Sequence, residues 1–513
     1  MNRAARTLRA AHPKQTLPSK DIIMLLGAVD LGSNSFRVEI GRVEGDRIVT
    51  QSYWKETVRL AGGFDEHGAL TPEIQARALA TLARFNERLQ GLPKHQVRAV
   101  GTQALRAATN SKEFLEKAEQ VLGYKIELLS GHEEARLVFK GCANTLPPSE
   151  KRRLIVDIGG ASTEFIVGRG LEPERCESYK IGCVNTSIRH FRDGRITPKS
   201  FEQAVTACEA EIEEGGRLFG PEHYDEAFGS AGTFGAVSDI CVALGWSDGA
   251  VTPEHLEKLT RMLLEAKDVR NIRFAGLKED RREVIAGGLA VLTAVFRTLG
   301  IRSMRPASGA LRVGLLYDLW GRFSDRDTRE ISVEALMKKA LVDADQAERV
   351  SSTAVELCRR LAPETPDDDL KLLRWAALMH EVGMLITSSR YHRHGQYIIS
   401  NTDMPGFAHS EQIRMATLVL AQRGTLKKLG TPSDWCVSWE SVLAVRLAVI
   451  LAHARVDVTL PVMKFERDGD ELVVRIDPVW LNQHPLTDYL LNEESLNWSR
   501  IGRTVRFERF AIA

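Results

Sequence analysis

The chain has 513 residues, with 69 Lys and Arg against 68 Asp and Glu, 43% hydrophobic residues and seven Cys. At roughly 100–200 residues per domain, this length predicts about three or four domains. The composition excludes disordered and fibrous proteins, and the net charge of +1 excludes a chain that attracts polyanions over its whole surface. No Cys-x-x-Cys pair occurs, which argues against a disulfide framework or a zinc site.

No segment has the pattern of a membrane span or a secretory signal. The most apolar stretches, 284–296 and 442–454, are shorter than the ~20 residues that a spanning helix needs. Residues 1–24 contain five basic residues but no apolar run, so they predict a frayed basic tail. We therefore expect a cytoplasmic protein without stable membrane insertion.

Two segments share one pattern: a buried strand ending in Asp, a Gly-containing turn and a returning strand. The first covers residues 25–40 with Asp30, and the second covers 154–167 with Asp157. Each predicts a β-hairpin, and together they predict a duplicated α/β unit with one hairpin opening each half. The polar, turn-rich segment 147–153 predicts the boundary between the halves.

The remaining elements follow from hydrophobic periodicity and turn residues. In chain order they are a helix at 72–89, strands at 96–101 and 126–129, a helix at 200–218, a strand-turn-helix at 227–233, helices at 253–266 and 279–299, a strand-to-helix turn at 306–312, a helical region over 330–425, and strands at 458–466, 471–476 and 504–510. The predicted domains after the tail 1–24 are 25–146, 147–324, 325–455 and 456–513.

The two Asp turns have the features of phosphate-binding loops. Successive backbone amides in a tight turn form an anion-binding concavity, and Gly32 allows a phosphate to approach closely. The first loop also offers the hydroxyls of Ser33 and Ser35. The second loop repeats the arrangement with Gly159, Gly160, Ser162 and Thr163. One such turn alone is better explained by a hairpin that needs small residues, but two matched copies favour phosphate binding.

Carboxylates at these strand ends could hold a hydrated Mg²⁺ that bridges to phosphate oxygens. The alternative is an Asx-type turn stabilised by the Asp side chain. The two interpretations are equally good for Asp30. For Asp157 a metal role is favoured, because Glu164 is a second carboxylate close to the same loop.

Two further side chains are candidates for catalysis. Ser130 and Glu133 match a capping box, whereas Glu134 beside them could activate a water that attacks phosphorus. The alternative for Glu134 is a carboxylate that only complements the helix dipole. Arg106 follows a strand end and could hold phosphate oxygens, and the alternative is an ordinary solvated Arg.

These residues resemble motifs of the exopolyphosphatase/guanosine pentaphosphate phosphatase family, within the superfold of actin, sugar kinases and heat-shock ATPases. The motifs occur in the family's order at 30–36, 101–106, 130–136, 157–164, 182–183, 229–233, 308–312, 373–383 and 392–394. The resemblance implies an α/β fold of duplicated actin-like (ribonuclease H-like) halves. An all-α HD-like domain and a small α+β C-terminal domain would follow.

The resemblance also implies roles for individual residues. Glu134 matches the catalytic base, Arg106 matches the phosphate-holding Arg, and Asp157 and Glu164 match carboxylates tied to Mg²⁺. The residues matching the loops that hold the terminal phosphates are Ser33, Asn34, Gly159, Gly160, Ser162 and Thr163. The family usually has a third Gly where this chain has Ala161. A methyl group there could narrow the loop, although we still expect activity.

The helical region resembles a degenerate HD phosphohydrolase domain. It has His380-Glu381 where a working site has His-Asp, so we expect no catalysis there. His392, His394 and His409 could be metal ligands, but surface or polyanion-contacting histidines are favoured. Residues 371–430 contain eight Lys and Arg against three acids. This surplus could guide a polyphosphate, or it could be an ordinary solvated helical face.

The function predicted on this basis is that of an exopolyphosphatase, which removes orthophosphate processively from inorganic polyphosphate. The resemblance implies Mg²⁺ as cofactor, allows stimulation by K⁺ and implies a homodimer, with no nucleic-acid partner. The first alternative is hydrolysis of guanosine pentaphosphate. Two others are an ATP-driven kinase or chaperone of the same superfold and a non-catalytic polyphosphate-binding regulator.

Overall fold

The computed structural model describes residues 24–45, 47–323, 327–430, 437–457, 459–469 and 471–510. The predicted basic tail therefore lies outside the described residues, except for Met24. The chain divides into two compact units, unit 1 up to Asp327 and unit 2 from Thr328. Within the described ranges, no helix combines the length and apolarity that crossing a membrane requires.

The first half of unit 1 is built on a five-stranded sheet with helices. Its elements are β1 (Leu25–Leu31), β2 (Ser35–Glu44), β3 (Arg47–Thr57), α1 (Pro72–Leu89), β4 (Val97–Gly101), α2 (Gln103–Ala107), α3 (Ser111–Leu122), β5 (Ile126–Leu128) and α4 (Gly131–Thr145). The sheet order is β3-β2-β1-β4-β5, antiparallel among β1–β3 and parallel from β1 to β5. The helix predicted at 72–89 is confirmed with the same bounds.

The second half repeats this plan. Its elements are β6 (Arg152–Ile158), β7 (Thr163–Arg169), β8 (Glu172–Tyr179), α5 (Cys183–His190), α6 (Pro198–Glu211), α7 (Glu213–Leu218), β9 (Glu226–Ser230), α8 (Ala231–Ala243), α9 (Pro253–Ala266), α10 (Ile285–Leu299), β10 (Arg305–Pro306) and α11 (Leu311–Gly321). The sheet order, read as β8-β7-β6-β9-β10, matches the order β3-β2-β1-β4-β5 of the first sheet strand for strand. The predicted duplication, with one hairpin opening each half, is confirmed.

The bounds predicted for two helices were wrong. The helix predicted at 200–218 is two helices, because the backbone leaves the helical region at Ile212 (φ −109°). The helix predicted at 279–299 begins as a 3₁₀ turn over Glu279–Val284 before α10 starts.

Helices α4 and α11 connect the halves of unit 1. They share a core with strands of both sheets, in which Leu26 of β1 and Ile166 of β7 are fully buried. The two helices approach at backbone distance, since a Cβ added at Gly314 would lie 1.8 Å from the carbonyl oxygen of Leu137. Glycine at this crossing is therefore required for α4, which carries Glu134, to pack in this position.

Unit 2 is mostly helical. Its elements are α12 (Thr328–Lys339), α13 (Ala344–Leu361), α14 (Asp367–Leu378), α15 (Tyr391–Asn401), α16 (His409–Ala421), α17 (Trp439–Leu451), β11 (Met463–Asp468), β12 (Glu471–Ile476), α18 (Pro478–Gln483), α19 (Pro485–Ser499) and β13 (Thr504–Arg509). The first of its strands starts at Met463 rather than at the predicted residue 458, which lies outside the described residues. One core runs from Val333 to Val505, so the boundary predicted between 455 and 456 does not divide the packing.

Candidate active site

The two Asp turns lie against each other in unit 1. A Cβ added at Gly160 would lie 3.2 Å from the amide nitrogen of Asn34 and 3.2 Å from the Cβ of Ser33. Both Ser33 and Asn34 are buried, as is Ser162 in the second turn. The structure thus brings together the two loops that the sequence predicted separately, and a side chain at Gly160 would crowd the first loop.

Each loop is fixed through its carbonyl groups. In the first loop, the carbonyl oxygen of Asn34 accepts from the amides of Val58 and Arg59. In the second, the carbonyls of Gly159 and Gly160 accept from the first amides of α5, at 3.0 Å and 2.8 Å. These amides are therefore occupied within the protein, and the loops are held in position without a ligand.

Thr163, which was predicted as part of the second phosphate-binding loop, has its side chain bonded within the protein. Its side chain is fully buried, and its hydroxyl donates a hydrogen bond to the carbonyl oxygen of Ile181 at 2.8 Å. The first position of β7 points this hydroxyl towards the neighbouring backbone, so the side chain fixes the loop. The phosphate-binding role of Thr163 stays a prediction.

Glu134 lies in the first turn of α4. The hydroxyl of Ser130 caps this helix by accepting a hydrogen bond from the amide of Glu133 at 3.1 Å. This is one of the two hydrogen bonds of the predicted capping box. The carboxylate of Glu133 is used in a two-pronged ion pair with Arg136. A Cβ added at Gly131 would lie 2.6 Å from the Cβ of Ser178, so the start of α4 packs directly on β8.

Arg106 and Glu134 form an ion pair that the sequence did not predict. Nη1 of Arg106 donates to Oε2 of Glu134 at 3.1 Å and also to the carbonyl oxygen of Leu129. The same guanidinium binds Oε1 of Gln103 through Nε and Nη2. Arg106 is thereby held at the end of β4 with its charge directed at the candidate base.

Burial raises the pKa of Glu134 to about 7. The ion pair with Arg106 opposes this rise, and the nearby carboxylates of Asp30 and Asp157 add to it. Only 7% of the residue is exposed. A carboxylate that changes protonation near neutral pH has the property that a general base acting on water needs.

Three further carboxylates, those of Asp30, Asp157 and Glu164, lie near Glu134. Burial raises the pKa of Asp157 to about 6, while the hydroxyl of Ser230 and the charge of Arg37 act against the rise. The pKa of Glu164 is raised well above its ordinary value, first by burial and then by the charges of Glu134 and Asp157. Glu164 also accepts a hydrogen bond from Ser178 at 2.9 Å. Because these buried carboxylates raise one another's pKa values in spite of the nearby arginines, a bound cation would stabilise their charged forms.

The donor set fits a Mg²⁺ ion that the substrate helps to bind. Among the described residues, no group of three or more His, Cys, Asp or Glu converges into a ready-made metal cage. Mg²⁺ is usually held by one or two carboxylates together with water and phosphate oxygens, and Asp157 and Glu164 supply oxygen donors of the required hardness. The predicted metal role of Asp30 is less favoured, because its Oδ2 lies 3.4 Å from the guanidinium of Arg37. The cofactor itself stays a prediction.

Two arginines near Asp157 were missed as site residues. Arg37, on β2, and Arg312, on α11, both act on the Asp157 carboxylate. Arg312 donates to Glu39 at 3.2 Å, and its guanidinium lies 4.6 Å from the ring centre of Tyr53. Arg312 belongs to the 308–312 motif of the sequence. Its position near Asp157 depends on how α11 crosses between the halves, which the motif does not indicate.

The HD-like site of unit 2 is closed by an ion pair. The guanidinium of Arg455 binds both oxygens of Glu381, at 2.6 Å and 3.0 Å, and also Asp343 at 3.1 Å. His380 is buried, its pKa is lowered by burial, and its Nδ1 lies 2.8 Å from the carbonyl oxygen of Ala377. A metal would have to displace Arg455, which favours the prediction that this domain is not catalytic.

Two matched halves with facing loops define an α/β protein of the actin-like ATPase superfold. Comparison with known sequences identifies the family: the Ppx/GppA phosphatase family matches residues 41–323, and its "Ppx/GppA phosphatase, domain III" matches residues 328–495. The chain belongs to the Ppx/GppA phosphatase family and is therefore a phosphatase of phosphoric anhydrides. The resemblance found in the sequence is confirmed.

Relatives of known name match most of the chain. It is 35% identical over 489 residues to a guanosine-5'-triphosphate,3'-diphosphate pyrophosphatase of Aeromonas hydrophila, covering 94% of this chain and 98% of the relative. A Vibrio cholerae protein of the same name is 34% identical over 492 residues, again covering 94% and 98%.

Solved structures show the same fold over part of the chain. A Cytophaga hutchinsonii exopolyphosphatase superposes with a TM-score of 0.53 and 23% identity, over 58% of this chain and 98% of its own. The Aquifex aeolicus member of the Ppx/GppA family gives a TM-score of 0.50 and 23% identity, over 59% of this chain and 99% of its own.

Proposed function

We propose that the protein removes the terminal phosphate of guanosine-5'-triphosphate,3'-diphosphate, with Glu134 as general base. The observation that carries the chemistry is the position of Glu134, a buried carboxylate paired with Arg106 and surrounded by the carboxylates of the two loops. The choice of substrate is supported by the relatives that match along their whole length and carry this activity in their names.

In the proposed reaction, the terminal phosphate is bound beside the two contacting loops, next to Glu134 and Arg106. Ionised Glu134 accepts a proton from a water as the water oxygen bonds to the terminal phosphorus. The phosphoanhydride bond breaks, and orthophosphate leaves the shortened nucleotide. Arg106 stabilises the charge on the transferring phosphoryl group. Phosphoryl transfer depends on positioning and electrostatic stabilisation more than on covalent catalysis by the protein. A Mg²⁺ ion held by Asp157 and Glu164 would supply further neutralisation of phosphate charge.

Inorganic polyphosphate, the substrate expected from the sequence, is the second candidate. The observation in its favour is the surplus of eight Lys and Arg over three acids in residues 371–430, which suits a long polyanion. The same catalytic groups serve both substrates, because each ends in a phosphoanhydride. The expected homodimer and K⁺ stimulation also remain proposals.

The test compares kcat/KM for phosphate release from guanosine pentaphosphate, long-chain polyphosphate and ATP, with Mg²⁺ present. The proposal predicts that the guanosine nucleotide has the highest value and that Glu134→Gln abolishes release from every substrate. Glu116→Gln, which removes an exposed carboxylate on α3, is the matched control and should retain full activity. A higher kcat/KM for polyphosphate would make the second candidate the main function, and ATP as best substrate would contradict both.

A further inference from the structure

Tyr53 lies on the face of the first sheet that is directed towards the second half of unit 1. Successive side chains of a strand point to opposite faces of its sheet. On β2, Val38 is buried in the core with residues of α1, so Glu39 lies on the other face, and Tyr53 is its partner on β3. Lys55, two residues further along β3, forms an ion pair with Asp280 of the second half at 2.7 Å. The ring of Tyr53 is therefore on the same side of the sheet as the second half.

A residue of the catalytic site holds this ring, which is still open to solvent. The guanidinium of Arg312 lies 4.6 Å from the ring centre of Tyr53, and its Nε donates to Glu39 at 3.2 Å. The charge of Arg312 also acts on the carboxylate of Asp157. Tyr53 is nevertheless 46% exposed. Arg312 thus covers one face of the ring, and the rest of the ring offers an apolar surface beside the charged groups of the site.

The distance from the first catalytic loop to Tyr53 suits a nucleotide. The strand register places Tyr53 opposite Glu39, and Glu39 opposite Ala28, which is two residues before Asp30 on β1. Two residues along the strands and two strands across the sheet separate the Cα atoms of Tyr53 and Asp30 by roughly 12 Å. A triphosphate and a ribose place the terminal phosphate of a nucleotide at a comparable distance from its base. A nucleotide with its terminal phosphate beside the loops can therefore reach Tyr53 with its base.

Trp54, the next residue of β3, provides the comparison. It is 43% exposed and also contacts a cation, since the guanidinium of Arg88 on α1 lies 4.0 Å from its ring. Its Nε1 donates to Glu56 at 3.1 Å. Trp54 points to the α1 side of the sheet, away from the second half. Exposure and a cation contact alone therefore do not indicate a ligand, and Tyr53 differs from Trp54 in lying on the face that carries Arg312.

We propose that Tyr53 makes the site selective for a nucleotide by stacking on the purine base of the substrate while the terminal phosphate lies beside Glu134. The inference rests on the proposed function, because inorganic polyphosphate has no base. Stacking on an aromatic ring suits any purine, since every base has a π face. The contact with Arg312 orients the ring before the base binds, which lowers the entropic cost of binding.

The test compares a ligand that has a base with one that has none. Isothermal titration calorimetry with Mg²⁺ gives the dissociation constants of guanosine pentaphosphate and inorganic tripolyphosphate for the full-length Glu134→Gln protein, which is expected to leave both intact. Adding Tyr53→Ala should weaken binding of guanosine pentaphosphate roughly tenfold and leave that of tripolyphosphate unchanged. Tyr53→Phe keeps the ring and should retain the affinity for both ligands. Trp54→Ala, which removes the exposed ring on the other face, is the matched control and should also change neither.

The pair of ligands separates stacking from a structural effect. Equal weakening of both ligands by Tyr53→Ala would mean that the ring only positions Arg312, and unchanged binding of guanosine pentaphosphate would mean that its base lies elsewhere. Either result would overturn the proposal, once circular dichroism has verified that each variant is folded.

Failure of the proposed function is a separate result, because it is read from phosphate release by the wild type. A wild type that binds guanosine pentaphosphate through Tyr53 without releasing phosphate would support the stacking site and contradict the reaction. A Tyr53→Ala protein that hydrolyses guanosine pentaphosphate with the KM of the wild type would support the reaction and contradict the stacking site.

Discussion

Glu134→Gln is expected to stabilise unit 1 in alkaline solution. The ordinary pKa of a glutamate, 4.5, is raised to about 7 by the burial of Glu134. The folded protein therefore binds this proton more tightly than the unfolded chain, and the resulting stability is complete below pH 4.5 and lost as the pH rises through 7. A shift of this size corresponds to about 3 kcal/mol at pH 8.5, which Gln avoids because it carries no charge.

Urea-dependent hydrogen exchange of peptides from α4, measured in EDTA, gives the free energy of unfolding for the part of the chain that contains Glu134. The variant should gain about 2.5 kcal/mol over the wild type between pH 5 and pH 8.5, since a small part of the effect is already present at pH 5. Glu116→Gln removes the same charge from the surface and should show no such gain. An advantage of Glu134→Gln that is the same at both pH values would refute the assignment of a raised pKa to Glu134.

Three further changes test other parts of the structure. Arg106→Gln removes the charge that opposes the raised pKa of Glu134, so the acidic limb of the pH profile of kcat should move to higher pH. The kcat for phosphate release should also fall about 10²–10³-fold. An acidic limb that does not move would contradict the ion pair. Gly182→Ala places a Cβ 2.5 Å from the amide nitrogen of Ala161 and should reduce kcat/KM at least about tenfold, whereas Gly235→Ala, which has nothing within 4 Å, should raise thermal stability by up to about 1 kcal/mol and leave activity intact. Asp318→Asn removes the buried negative charge that the guanidiniums of Arg98 and Arg136 share, and it should cost about 3–5 kcal/mol in denaturant unfolding, although both arginines keep Glu133 as a partner. An unchanged unfolding midpoint would count against the network.

Much of the fold could be predicted because its information is local. The hairpins at Asp30 and Asp157 combine apolar strands with glycine turns, and the helix at 72–89 has proline at its first position and a regular apolar face. Element ends were less predictable. The break at Ile212 and the 3₁₀ turn before α10 depend on packing against other elements, which hydrophobic periodicity does not reveal.

The candidate site could be predicted residue by residue but not as a set of contacts. Glu134 was identified from the motif, yet its pairing with Arg106 joins residues 28 positions apart. Arg312 comes from a helix that crosses between the halves, and Ser178 approaches Glu164 only because β8 lies beside β7. The hydrogen bond from the Thr163 hydroxyl to Ile181 could not be predicted, because a sequence does not indicate which partner a buried hydroxyl will have.

The most direct test of the central claim is hydrolysis of guanosine pentaphosphate in ¹⁸O-labelled water by the wild type, by Glu134→Gln and by Glu116→Gln. The account predicts that the label enters the released orthophosphate and not the remaining nucleotide, since water attacks the terminal phosphorus. It also predicts that Glu134→Gln releases no measurable phosphate and that Glu116→Gln matches the wild type. Label in the nucleotide, or rapid release by Glu134→Gln, would contradict a water activated by Glu134 at the terminal phosphate.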